Sequence, residues 1–223
     1  MVKPSARAGS APVDRDGRPV TADEILEVAG TIVERHGVDA LTMRRLSDDL
    51  GVAVTSVYWH VGNRNALLDG LVGRLLDRME TIRAIGDTPV ERIESLARQL
   101  RSTLLERQHL VGLAHERDRS PAMFLPVQQA IAAELASVGM RGAEAALLLR
   151  ALQVHVISSV LMDRAAARNA SHGSVDPELW PSDFPDRELV AALANPAAYD
   201  TVFDYGLHAL VGGLDDAERS GSS

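Results

Sequence analysis

Residues 41–68 read LTMRRLSDDLGVAVTSVYWHVGNRNALL, a run in which basic, hydroxyl and aromatic side chains cluster at usable spacings. Thr42 can cap a short helix whose inner face carries Leu46 and Leu50, and Gly51 stops it. A second short helix then starts near Val54, with Val57 and Val61 on one side. Two short helices joined by so tight a turn suit a helix-turn-helix. In that motif the first helix crosses the DNA backbone and the second inserts its N-terminal residues into the major groove. Those residues are Ala53, Val54, Thr55 and Ser56, all small enough for close approach. Their methyls suit thymine methyls, and the Thr55 and Ser56 hydroxyls suit base edges or phosphates. Tyr58, Trp59 and His60 offer donors for phosphate oxygens on the groove wall. Trp59 equally suits packing between the two short helices. Gly62 and Asn63 open the next helix, whose free N–H groups and positive dipole end make an anion site, with Arg64 adding charge.

These residues need a scaffold, and the pattern supplies an all-α one. Thr21 and Glu24 form a capping-box signature for a helix over 21–36, with Ile25, Val28, Ala29, Ile32 and Val33 as its buried stripe and Gly37 as a left-handed stop. A longer helix is expected over 63–83, striped by Leu67, Leu68, Leu71, Leu75, Leu76 and Met79. Thr88, Pro89 and Glu91 start another that reaches about Gln108. A loop over 109–120 is expected next, then a helix over 121–138. The helix over 142–168 is the longest and most apolar, more so than one small core can cover, which predicts a face against another subunit. A turn-rich loop over 169–185 carries Trp180 and Phe184, which either cap a pocket or tack the loop down. Helices over 186–194 and 199–217 close the chain.

The domain reading is a disordered arm (1–19), a helix-turn-helix DNA-binding domain (20–66), a C-terminal regulatory and dimerisation domain (67–217) reached through a linker helix, and a disordered tail (218–223). The arm holds Lys3, Arg7, Arg15 and Arg18 and reads as an inert tail or as a strand touching phosphates.

Composition agrees. The 223 residues carry 23 basic and 31 acidic side chains, a net charge of −8, which argues against a uniformly basic nucleic-acid coat or a polybasic membrane binder. The first 83 residues are nearly balanced at −1, so the acidity lies in the remainder and a DNA-facing surface belongs in the first third. Cysteine is absent, which removes disulfides and thiolate chemistry and fits a reducing cytoplasm. No apolar run reaches the roughly 18 residues of a membrane span, and the first ten residues lack a secretory apolar region.

Through LG-V, YWHV and N-ALL the segment resembles the TetR family of bacterial transcriptional repressors, in particular its tetracycline-repressor-like branch. Residues 201–214 (TVFDYGLHALVGGL) echo the last helix of that branch more weakly. The resemblance implies a cytoplasmic homodimer, joined through its last long helices, that grips a palindromic operator in double-stranded DNA and is released by a small-molecule effector. By the same resemblance Arg44 falls on a guanine-reading position, while Tyr58, His60 and Arg64 fall on backbone-contacting ones. Ala53, Val54, Thr55 and Ser56 occupy base-reading positions with different side chains, so the operator should differ.

The ligand positions depart from the branch. Glu80 stands in place of a ligand-contacting histidine and Leu100 in place of a pocket phenylalanine. His115, followed by Asp118, is the nearest analogue of the magnesium-binding histidine, and Met162 stands at the carboxylate position beside Asp163. With Phe124, these residues form the expected ligand set, and they argue for a more apolar effector than a tetracycline–magnesium chelate. No metal and no cofactor is expected.

Two other classes compete. An enzyme would need a phosphate loop, a nucleophile elbow, a zinc-binding HExxH or converging carboxylates, and the sequence holds none of these. Asp48/Asp49 and Asp215/Asp216 are adjacent, so on a helix they point about 100° apart. The alternative is a helical protein-interaction module that has lost sequence-specific DNA binding, a reading to which the net acidity lends weight.

Overall fold

The computed structural model describes residues 20–168, 174–196 and 198–214, among which there are helices and no strand. The arm and the tail lie outside the described residues. The helices are α1 (Ala22–His36), α2 (Met43–Leu50), α3 (Val54–Val61), α4 (Arg64–Glu80), α5 (Pro89–Glu106), α6 (Gln108–Glu116), α7 (Ser120–Ser137), α8 (Gly142–Arg168), α9 (Arg187–Leu193) and α10 (Tyr199–Val211).

The chain divides into two compact units. Of the described residues, the first runs to Arg78 and takes back Arg107–Met123; the second holds Met79–Glu106 and those from Phe124 onward. The head is thus larger than the 20–66 expected, because most of α4 and all of α6 pack with α1.

In the first unit the Thr21 hydroxyl accepts from Glu24 N while the Glu24 carboxylate accepts from Thr21 N at 2.9 Å, closing the capping box. Such a cap is worth about 1 kcal/mol. The buried stripe of α1 (Ile25, Ala29, Ile32, Val33) meets Leu46 of α2, Val57 of α3 and Leu67, Leu68 and Leu71 of α4 in one core. Gly37 ends α1 at φ 84°, ψ 166°, so its positive φ is as expected but its backbone is extended rather than left-handed helical.

The expected loop over 109–120 is corrected: residues 108–116 form α6, with Leu110, Leu113 and Ala114 buried. QHLVGLAHE has a central glycine and no strong cap, so its helicity comes from tertiary contact with α1. Helix α4 also ends three residues early, at Glu80, where the Arg83 guanidinium turns back onto the Glu80 and Ile82 carbonyls.

The second unit packs α5, α7, α8 and α10 around Ile93, Leu96, Leu100, Leu135, Leu152 and Phe203. Helix α5 begins with Thr88 N and Asp87 N donating to Glu91 at 3.1 and 2.7 Å. Gly86, at φ 140°, makes room for the first turn of α5: a Cβ there would lie 2.5 Å from Glu91 Cβ. Trp180 and Phe184 meet edge-on at 4.7 Å, tacking their loop together.

Helix α8 has the predicted bounds, but it corrects the reading of membrane-span length. An 18-residue stretch of it reaches a mean hydropathy of 1.7, so by length and composition it could cross a membrane. Arg150 interrupts the apolar run without lowering the average enough.

Candidate nucleic-acid interface

The turn between α2 and α3 is built from backbone. Gly51 adopts the left-handed conformation (φ 69°, ψ 26°), and the N–H groups of Gly51 and Val52 donate to Asp48 O and Ser47 O at 3.2 and 3.0 Å. Ala53 then returns to extended backbone and its carbonyl accepts from Ser56 N at 2.9 Å, which starts α3. At the other end of α2, Thr42 Oγ1 accepts from Arg45 N at 3.1 Å.

This arrangement leaves one side of α3 outward. Ala53, Val54 and Thr55 are exposed, Ser56 is half-buried, and Val57 is fully buried beneath them. Arg44 is exposed on α2. Its neighbour Arg45 is half-buried and lies 3.9 Å from Asp49, one turn on, so that carboxylate is held by a cation on its own helix. Asp48 faces solvent.

The aromatic run resolves one alternative left open by sequence. Trp59 is 66% exposed and meets the His60 ring edge-on at 4.6 Å, so it does not pack between the short helices. Tyr58 is 48% exposed. His60 is half-buried, and its Nε2 is buried with no hydrogen-bond partner among the described residues.

At the start of α4, Asn63 Oδ1 accepts from Ala66 N at 2.9 Å and serves as the cap. Arg64 lies otherwise than its sequence neighbourhood suggests. Its Nε donates to Leu41 O and its Nη2 to Val38 O, both at 3.0 Å, so the guanidinium ties α4 to the segment before α2.

Of the five candidate ligand residues, two share a cleft. Leu100 and Phe124 line one apolar cleft in the second unit, together with Leu149, Leu152 and Val156. Sequence reasoning missed the polar pair in that cleft, Gln128 and Gln153, joined Nε2 to Oε1 at 2.8 Å across α7 and α8. Met162 is 44% exposed on α8. Glu80 is exposed at the end of α4, and His115 belongs to the first unit, where its Nδ1 lies 3.2 Å from Ser120 Oγ. Among the described residues no group of three or more His, Asp or Glu could hold a metal ion.

Residues 25–71 match the family model of the bacterial regulatory proteins of the tetR family. An HTH-type transcriptional regulator of Saccharopolyspora erythraea is 29% identical over 141 residues, 63% of this chain and 60% of its own length. The class A tetracycline repressor from transposon 1721, in Escherichia coli, is 27% identical over 192 residues, 85% of this chain and 88% of that one. The TetR family protein ActR of Streptomyces coelicolor, solved with actinorhodin, superposes with a TM-score of 0.59 at 27% identity, covering 90% of this chain and 99% of its own. With residues 25–71 matched in sequence and the helical fold matched nearly end to end, the chain is similar to TetR-family transcriptional regulators, which are DNA-binding proteins and not enzymes.

Proposed function

We propose that this chain is a repressor that binds a palindromic operator as a homodimer and is released by a small, apolar effector. The observation that carries the reading is the outward tip of α3, Ala53–Thr55, with the exposed Arg44 guanidinium on the neighbouring helix and a closed apolar core behind both. Arginine can grip guanine O6 and N7 together, which discriminates against a wrong base by about 1–3 kcal/mol.

The second subunit is supported by what α8 leaves uncovered. Leu147, Val154 and Leu161 recur every seven residues and are 70, 63 and 53% exposed. Val202 and Tyr205 of α10 are exposed as well. A heptad-spaced apolar row is the seam of a helix-to-helix interface. The rest of α8 is committed: Leu152, Val156 and Val160 are buried, and Gln153, His155, Ser159 and Asp163 all bond within the second unit. That division of labour favours a protein partner over lipid on the apolar row. Two heads related by a two-fold axis call for a palindromic site. A regulator of this kind works on DNA in the cytoplasm.

For the effector, the cleft around Leu100 and Phe124 is apolar and nearly shut, with a volume of about 20 Å³, close to one water. A ligand must part α5, α7 and α8 to enter, so its binding is coupled to helix position. It can weaken operator affinity only by its differential affinity for the two arrangements. The related ActR, solved with actinorhodin, supports a small-molecule effector.

The test is selection of binding sites from random duplex DNA with wild type and Arg44→Ala in parallel. The expected result is a palindrome whose guanine preference relaxes in the variant. A folded, ligand-free wild type that enriches no motif overturns the reading.

A further inference from the structure

The apolar cleft of the second unit has a neighbour. Across the Gln128–Gln153 pair an open groove runs between α7 and α8, with a volume of about 370 Å³ against about 20 Å³ in the cleft. Gln128, Leu149 and Gln153 line both spaces, so these three side chains are the wall between them. The groove alone is within the size range of small-molecule sites.

That wall is polar where the cleft behind it is not. Among the described residues lining the cleft, the two glutamines are the polar ones, and each is half-buried. Gln128 Nε2 donates to Gln153 Oε1 at 2.8 Å, so one donor and one acceptor face each other across the two helices. A molecule that parts them must give Gln128 an acceptor and Gln153 a donor, or leave half-buried amides unpaired. A carboxylate offers acceptors alone and an ammonium donors alone. A neutral trans amide offers both, on opposite edges. Helix α7 is also weakened beside the wall. Pro126 lies inside that helix, shortly before Gln128, and has no N–H to donate to the Ala122 carbonyl one turn back.

We propose that the Gln128–Gln153 pair is the gate of this cleft and selects its ligand, a neutral and largely apolar molecule with a central amide-like group. The inference rests on the effector reading above and names the ligand class for it. The ligand enters from the groove and sets its carbonyl against Gln128 Nε2 and its N–H against Gln153 Oε1. One apolar end then lies on Leu100 and Phe124, the other in the groove on Ala132, Ala146 and Leu149. One amide–amide hydrogen bond is exchanged for two, so the open gate leaves no polar group unpaired.

The probe is benzanilide, a trans amide between two phenyl rings, with phenyl benzoate as a similar shape lacking the N–H. Each is titrated by equilibrium dialysis against the full-length protein without DNA. Benzanilide is expected to bind at one site per chain, roughly tenfold tighter than phenyl benzoate or more. Gln128→Leu/Gln153→Leu should erase that preference while binding phenyl benzoate at least as tightly as wild type does. Ala132→Trp, which puts bulk in the groove from an exposed position on α7, should weaken both probes. No binding of benzanilide, equal binding of the two probes, or a preference that survives in the double variant overturns the proposal. Loss of phenyl benzoate from the double variant, or binding indifferent to Ala132→Trp, overturns it too. Displacement of a selected duplex is read separately. Amide-selective binding that leaves the duplex bound keeps the gate and removes the effector role. Equal binding of both probes with release of the duplex keeps the effector role and removes the gate.

Discussion

Arg64 Nε donates to the backbone carbonyl of Leu41 at 3.0 Å, and its Nη2 reaches Val38 O at the same distance. A residue whose position suggests a phosphate contact is therefore also a brace for the segment leading into α2. Hydrogen bonds from a charged donor are worth about 1.5–3 kcal/mol when made. Arg64→Ala should cost the head about 2 kcal/mol, read from urea unfolding, and Arg64→Lys should recover little of it because an ammonium has no fork. The two roles separate in salt. Loss of a phosphate contact lowers the slope of log K against log[salt] by about 1, whereas loss of a brace weakens DNA binding with the slope unchanged. An unchanged slope is the expected result; a slope reduced by a full unit assigns the guanidinium to phosphate.

Glu34 on α1 makes a second tie, accepting from the N–H groups of His109 and Leu110 at 3.4 Å each. Burial pushes its carboxyl above the usual 4.5, with the two backbone N–H groups pulling the other way. A raised folded-state value means that the native head holds the proton more tightly than the unfolded chain. Its contribution is then fully present below 4.5 and is lost as pH rises through the folded value. Glu34→Gln removes this titration. The stability of wild type minus that of Glu34→Gln should fall as pH goes from mildly acidic towards neutral, by urea midpoints taken across that range. A difference that is flat or rises contradicts the burial assignment.

What the sequence made legible was local. The Thr21–Glu24 capping box, the Gly51 turn and the bounds of α8 rest on contacts within a few residues, where residue type nearly determines geometry. The outward tip of α3 followed from the same signals, because burying Val57 leaves Ala53–Thr55 outside. Helix α6 was not legible: its formation depends on α1, about 75 residues away, through Glu34 and three buried apolar side chains. The ligand set was not legible for a related reason. Positions matched by resemblance carry no distance, and His115 lies in a different unit from Leu100 and Phe124.

Gly206 shows two opposed effects of one substitution. Alanine in a helix interior gains about 1 kcal/mol over glycine. A Cβ at Gly206 would, however, lie 2.4 Å from His155 Cε1 and 3.0 Å from its Nε2. The imidazole has little freedom to yield, since it stacks on Phe203 at 5.1 Å and its Nε2 lies 2.9 Å from Phe203 O. Overpacking of this kind costs about 1–3 kcal/mol. Sterics should win, so Gly206→Ala should lower the thermal midpoint. Adding His155→Ala should recover part of the loss. A Gly206→Ala variant at least as stable as wild type would mean that the ring swings away freely.

Arg101 draws together three helices of the second unit. Its side chain is 9% exposed; it pairs with Asp163 of α8, donates to Asp200 of α10 at 2.6 Å and to Ser159 Oγ at 3.1 Å, and lies 4.9 Å from the centre of the Phe203 ring. The two carboxylates are not equivalent. Asp200 is 84% exposed and Asp163 only 32%, so solvent screens the first pair far more than the second. Removing Asp163 leaves a buried cation with one weakly coupled partner, whereas removing Asp200 leaves the better-shielded pair intact. Asp163→Ala should therefore destabilise by about 2 kcal/mol and Asp200→Ala by less than about 1 kcal/mol, each read from the urea midpoint. Arg101→Met keeps the apolar stem and removes the charge. Because both carboxylates can then hydrate, it should cost less than Asp163→Ala. In an Arg101→Met background, Asp163→Ala should become nearly neutral, because the charge it compensates is gone. An Asp163→Ala cost that persists undiminished in that background would place the role of Asp163 outside the Arg101 pair.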